Sequence, residues 1–398
     1  VLSRIIQRLY KRGNGQSSAI NKTLERAMKQ IRILQIVNEL NMGGIQAFLM
    51  NLYRNIDRSK IQFDFLINDL PVGDFENEIL ALGGKIYRVT PRKKSITRNR
   101  KDLLRFFNEH KEYKCVHFHC SNLSYIEPLV AAKKCGVPVR IMHSHSTNLP
   151  NRLVHKLLHR INKAKLKNIV TYYYACSDLA GKWLYGDTIG ESNTIIIQNG
   201  IKTAEYKFDR QKREEYRKKL GVENKQVFGN VGRLCEAKNH DFLIDVFYVL
   251  KKKLPDSKLV LVGDGELRSA VQDKISAMGL TDDVLMLGAR RDVPAILQAL
   301  DVVIMPSKWE GFPVSLIEEQ AAGLPCYVSD SITRQAKINT NVSYLPLSAG
   351  AEQWAAAIFE NAELQTRIEN TNAVIKAGFD ISNTIKILEE VYFGSFQI

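Results

Sequence analysis

Short apolar runs alternate with amphipathic helical stretches along most of the chain, and no other feature limits the fold as much. Ile31–Asn38 (IRILQIVN) is the first run. Phe63–Ile67, Lys85–Val89, Lys114–Phe118, Val137–His143, Thr171–Cys176 and Thr194–Ile197 follow it. A second series comprises Val227–Val231, Leu259–Val262, Val284–Leu287, Asp301–Ile304 and Pro325–Ser329. Apolar runs this short suit strands buried on both faces. Helices between them make βαβ units, so the sheets are expected to be parallel with right-handed crossovers. At 398 residues the chain exceeds what one core normally organises, and two α/β domains are expected. Asn199-Gly200 is a turn signal between the two series, and the highly charged Lys202–Lys225 reads as a linker plus a helix with a solvated face.

The net charge of +15 calls for an anionic partner, either nucleic acid or a membrane surface. Its distribution disfavours nucleic acid, because the basic residues gather in a leader, loops and one helix without interleaved aromatics. The leader, residues 1–30, holds Arg4, Arg8, Lys11, Arg12, Lys22, Arg26 and Lys29 against Glu25. Its first turns place Leu2, Ile5, Ile6 and Leu9 on one helical face. In a second segment Arg152, Lys156, Arg160, Lys163 and Lys167 accompany an apolar side of Val154, Leu157, Leu158 and Ile161. Such helices lie in membrane interfaces, each charge adding roughly 1 kcal/mol near an anionic leaflet. The second segment equally suits a surface helix packed on its own core. Pro91–Lys101, with six basic residues, reads as a loop, either solvated or facing an acidic acceptor. No apolar run approaches 18 residues, and Val1–Gln30 lacks the apolar core of a secretory signal. The six cysteines are scattered without CxxC spacing, as reduced core residues of a cytosolic protein would be.

Candidate functional residues fall where strands give way to helices. Gly43-Gly44 follows the first strand and opens a helix, the shape of a phosphate-facing turn. His117 and His119, then His143 and His145, end two further strands. A histidine there can bond a sugar hydroxyl; no cysteine or carboxylate at matching spacing supports a metal site. In the second half, Gly232-Arg233 follows a strand, and Lys238 stands just before a helix from about Asp241. Arg offers a planar fork to phosphate oxygens and Lys a point charge. Gly263 and Gly265 flank Asp264 in a tight turn, and Arg290 follows the strand Val284–Leu287. After Asp301–Ile304 the chain reads MPSKWEGFPVSLIEEQAAG, residues 305–323. Pro306, Gly311 and Pro313 break it, then a helix starts at Val314. Glu310 thus lies on a strand-end loop and Glu318 about one turn into the next helix, and both can face the crevice where open α/β sheets bind ligands.

The string 305–323 resembles the EX7E element of retaining family-4 (group 1) glycosyltransferases of the GT-B fold. The spaced Arg233 and Lys238, Gly43-Gly44 and the histidine of Ile141-Met142-His143-Ser144 match further parts of that pattern. The likeness runs from about Ile31 to Tyr392, and the EpsF- and CapM-like enzymes of capsular and exopolysaccharide assembly look nearest. It implies two Rossmann-like, doubly wound parallel-sheet domains facing a central cleft. An acceptor domain would span residues 31–200 and a donor domain 201–378, with a terminal helix in 379–398 crossing back to the first.

The resemblance also implies a reaction: transfer of a hexose or N-acetylhexosamine from a nucleotide-diphosphate sugar, expected to be UDP-linked, with retention. The acceptor would be polyisoprenyl-phosphate-linked or a glycan. Arg233 and Lys238 would bind the leaving diphosphate, helped by Gly43 and Gly44. Gly263 and Arg290 would line the nucleotide, and Glu318 would take the ribose hydroxyls. Glu310, with Gly311, Phe312, Pro313, Val314 and Ser315, would orient the sugar, and His143, or alternatively His145, would hold it from the opposite domain. No cofactor is implied. The chain has no Asp-x-Asp, so a metal is not required to anchor the diphosphate. The expected location is cytoplasmic, peripheral on the inner face of the membrane. Rival readings are an epimerase or phosphorylase of the same architecture, a basic nucleic-acid-binding protein and a silent scaffold.

Overall fold

The computed structural model describes residues 30–41, 43–68, 71–146, 153–187, 189, 193–360, 367 and 371–394. The basic leader therefore lies outside the described residues except for Gln30. The first series of runs forms β1 (Ile31–Val37), β2 (Ile61–Ile67), β3 (Ile86–Arg88), β4 (Cys115–Cys120), β5 (Val139–Ser144), β6 (Tyr172–Ala175) and β7 (Thr194–Ile196). They make one sheet in the order β3-β2-β1-β4-β5-β6-β7. The second series forms β8 (Gln226–Val231), β9 (Ser257–Val262), β10 (Val284–Met286), β11 (Val302–Met305), β12 (Cys326–Ser329) and β13 (Val342–Leu345), ordered β10-β9-β8-β11-β12-β13. Every recorded strand pair is parallel. Sequence reasoning missed β13, a short edge strand whose Ser343 interrupts the apolar run.

Both faces of each sheet are covered, which is why the strands read as unbroken apolar runs. In β1, Ile33 and Val37 pack with Phe48 and Leu52 of the helix Gly44–Asn55. Leu34 and Ile36 point the other way, toward Leu103 and Phe107. The chain crosses back at its end. Ile201 N donates to Phe379 O and Ile381 N to Ile201 O, each at 2.8 Å. The helix Ile381–Gly394 then buries Ile381, Leu388 and Tyr392 against the first sheet's core.

Two local expectations need correction, and one open alternative falls away. Pro91–Lys101 is not wholly a loop: a helix starts at Ile96, because Ser95 caps it by accepting from Arg98 N and Leu103, Phe106 and Phe107 anchor its inner face. The helix Arg210–Leu220 is not simply solvated. Arg213 and Arg217 clamp Asp301, which precedes β11 rather than opening it. The helix Leu153–Lys165 does not pack through its apolar side. It rests on His159 beside Trp183 and on buried Asn162, whose amide donates to Leu123 O at 2.7 Å. Leu153, Val154, Leu157 and Ile161 are left 83%, 66%, 60% and 43% exposed.

Candidate functional site

The second sheet gathers its βα turns at the carboxyl ends of β8 and β11, the neighbours at which the strand order reverses. After β8 the chain passes through Gly232 and Arg233 into a single 3-10 turn, Glu236–Lys238. Asn239 then takes a left-handed φ of 55°, and its side chain donates to Pro306 O at 3.1 Å. Lys308 N donates to Ala237 O at 2.7 Å. These bonds stitch the two turns together and bring Lys238 to Glu310. Lys238 Nζ and Ser307 Oγ both donate to Glu310 Oε1 at 2.7 Å, and the ion pair is largely buried. A third turn joins them. Gly263 has φ 141°, and a Cβ there would stand 1.9 Å from Gly232 O, so only glycine permits this approach.

The remaining donor-side candidates divide. Arg233 is exposed and paired with Glu266 at 3.1 Å, so its side chain does not join the Lys238–Glu310 contact. Arg290 is paired with Asp292 at 2.8 and 2.6 Å. Glu318 accepts from Tyr206 Oη at 2.8 Å. Burial pushes its carboxyl up to about 7, against the opposing pull of Tyr206 and Lys238. Pro313 precedes the helix Val314–Ala321, in whose first turn Ser315 Oγ is buried with no partner among the described residues. Glu319, which sequence reasoning passed over, is fully buried, and neither of its carboxyl oxygens has a partner among the described residues. Burial and then Glu318 push its carboxyl well up, so it is neutral.

Across the cleft stands the exit of β5. A Cβ on Gly311 would come within 3.2 Å of Ser146 Cβ and 3.4 Å of His145 O. Phe312 stacks on Phe379 at 5.5 Å and packs against Ala175, Cys176 and Ala180 of the first half. A Cβ on Gly44 would meet nothing within 4 Å, so no neighbour among the described residues demands glycine there. The open helix N-terminus it leaves suits an anion.

His143 has no exposed surface, and its Nε2 has no partner among the described residues. His145, one step beyond β5, is partly exposed. Strand period and register explain the grouping. His117 and His119 share a face of β4, and His119 pairs in register with His143 of β5. His117 Nε2 lies 3.2 Å from His143 Nδ1, and His119 Nδ1 2.8 Å from His145 Nε2. Gln35 and Tyr392 complete the cluster, at 2.8 Å from His119 Nε2 and 2.7 Å from His117 Nδ1. Burial holds all four imidazoles below the usual range, His145 at about 3. His117, His119 and His143 are close enough to suggest a metal site. Yet the His117 ring stacks on His119 at 4.1 Å and on His143 at 5.3 Å. Lone pairs lie in the ring planes, so near-parallel rings do not aim them at one point. The H-x-H pairs and the lone glutamine within an apolar strand were the legible signals of this cluster; Tyr206 and Ser307 gave none.

Over 380 residues, 91% of this chain and 96% of the relative, the sequence is 33% identical to the putative glycosyltransferase EpsF of Bacillus subtilis (strain 168). The chain belongs to the group 1 glycosyltransferases. The sequence model of that family, Glycosyl transferases group 1, matches residues 212–372, the part that carries Lys238, Glu310 and Glu318. A second relative is the UDP-Gal:alpha-D-GlcNAc-diphosphoundecaprenol alpha-1,3-galactosyltransferase of Escherichia coli. It is 32% identical over 248 residues, 59% of this chain and 63% of that protein. The solved structure of HepE from Anabaena in complex with UDP superposes with a TM-score of 0.74 at 19% identity, covering 92% of this chain and 100% of that one. This glycosyltransferase thus has the GT-B fold. Among the described residues no helix is long and apolar enough to cross a membrane.

Proposed function

We propose that this glycosyltransferase moves a hexose or N-acetylhexosamine from a UDP-sugar to a lipid-linked or glycan acceptor, with retention, in surface-polysaccharide synthesis. The observation that carries the proposal is the Lys238–Glu310–Ser307 contact at the β8–β11 switch point, opposite His145 and Ser146. The names of the E. coli galactosyltransferase and of the UDP-bound HepE support UDP and a diphospholipid acceptor. In the reaction the bond between the sugar carbon and the β-phosphate oxygen breaks, and its electron pair leaves with UDP. The acceptor oxygen forms the new bond on the same face, and its proton goes to the departing phosphate. Lys238 would release Glu310 to meet the diphosphate, with Arg233 leaving Glu266 to join it. Once the donor holds them there, cations aimed at developing charge lower the barrier of the chemical step without further reorganisation, and no metal is needed for that task. Freed from Lys238, Glu310 would take sugar hydroxyls. Glu318 would take the ribose, and the turns at Gly43-Gly44 and Gly263 would admit the diphosphate. Arg290 would border the base. Gly311, Phe312, Pro313, Val314 and Ser315 would shape the sugar side. His145, with His143 behind it, would close the opposite wall.

The enzyme is further proposed to be cytoplasmic and to dock on the inner membrane leaflet. The helix Leu153–Lys165 supports this, because its exposed apolar residues alternate with exposed Lys156 and Arg160. The deciding experiment screens nucleotide-sugars for thermal stabilisation and slow hydrolysis. A UDP-sugar should stabilise the protein and release UDP. Stabilisation by none of them rejects the donor, and an isomerised sugar without transfer favours an epimerase.

A further inference from the structure

Gln35 stands in the middle of an apolar strand and is fully buried. A buried amide is costly unless its polar atoms are bonded. Its Oε1 faces His119 Nε2 at 2.8 Å, and its Nε2 faces the Tyr392 hydroxyl at 3.4 Å. Burial keeps His119 and His145 neutral, so each ring carries one proton on one nitrogen. The amide oxygen can only accept. With the amide oriented this way, the His119 proton sits on Nε2, which leaves Nδ1 a lone pair. His145 Nε2, 2.8 Å away, can bond that lone pair only by donating its own proton. His145 Nδ1 is then the bare nitrogen.

We infer that Gln35, acting through His119, is a positioning residue that holds the His145 proton on Nε2 and leaves Nδ1 as a lone pair. The inference rests on reading the adjoining cleft as the sugar site. There, a lone pair takes a hydrogen bond from a sugar hydroxyl. The opposite tautomer would present an N–H, which can only donate to the hydroxyl oxygen and so reverses the direction of the bond. His145 is partly exposed as a residue and its backbone lies beside Gly311, which puts this choice at the boundary between the two halves. The other end of the amide meets Tyr392, whose hydroxyl also lies 2.7 Å from His117 Nδ1. Docking of the last helix thereby bears on the same glutamine.

The test is a two-bond proton–nitrogen correlation spectrum of the intact, histidine-labelled enzyme at neutral pH. Signals are assigned by their loss in His119→Gln and His145→Gln. Both rings should show the Nε2–H pattern, and an Nδ1–H or doubly protonated pattern at either overturns the inference. In Gln35→Met, His145 should become a mixture of tautomers; an unchanged pure Nε2–H signal also overturns it. If that variant does not fold, the wild-type spectrum still decides. In transfer assays Gln35→Met should lower kcat/KM about tenfold, yet add nothing in a His145→Ala background. Full additivity would mark Gln35 as merely structural. A wild-type enzyme that transfers no sugar defeats the proposed function, while the spectra still judge the relay.

Discussion

At the scale of single residues, the charged groups of the site are paired with one another. Lys238 is spent on Glu310, and Arg233 on Glu266. In the proposed reaction, donor binding exchanges these pairs for diphosphate and sugar. Glu310→Ala should therefore free Lys238 and leave UDP binding intact or tighter, while turnover falls by roughly 10²–10³ fold. Calorimetry with UDP and a transfer assay check the two halves; retained turnover would remove Glu310 from the sugar site. Glu318 adds a pH effect. Its carboxyl is pushed up to about 7 from an ordinary 4.5, so the neutral form is the one the fold favours. Stability from this group is present below about 4.5 and lost as pH rises through about 7. A carboxylate accepts ribose hydroxyls better than the acid does, so UDP-sugar affinity should rise between pH 6 and 8. The diphosphate of a UDP-sugar does not titrate in that window. In Glu318→Gln the slope should vanish, and a slope that persists would assign it elsewhere.

Single elements explain why some motif residues could be read without coordinates. A glycine between a strand and a helix is a local signal, and Gly263 proved to be needed for backbone contact with Gly232. Gly263→Ala must strain a φ of 141° and drive the turns after β8 and β9 apart. It should cost roughly 3 kcal/mol and abolish donor binding. Denaturant unfolding and UDP titration measure both, and wild-type values in either would break the link between these turns. The strands were legible for a similar reason: a run of four to eight apolar residues has few other stable uses in a fold that covers both faces of its sheets. Helix rotation was not. Composition marked Val154, Leu157, Leu158 and Ile161 as one apolar side, but His159 and Asn162 turned most of it outward.

For the whole molecule, that outward stripe matters together with the charge of +15. Leu153→Glu with Leu157→Glu should reduce co-sedimentation with anionic vesicles without lowering the thermal midpoint, since both residues are already exposed. Charge attraction alone would survive this change and be lost in salt. Undiminished binding by the double variant at moderate salt would exclude the helix as the docking element. The two halves are also held together by specific contacts: the strap at Ile201 and Asp380, and Phe312 seated between Phe379 and Cys176.

By itself the amino-acid order determined the parallel sheets, the division into two series, the glycine turns and the two glutamates after β11. All of these depend on neighbours within about one strand–turn–helix unit. Tertiary structure alone decided that Lys238 bonds Glu310, that His145 rather than His143 is accessible, and that Gln35 meets Tyr392 across 357 positions. Such contacts follow from register between strands and from the rotation of packed helices. Those are settled by the whole core at once, so no local pattern encodes them.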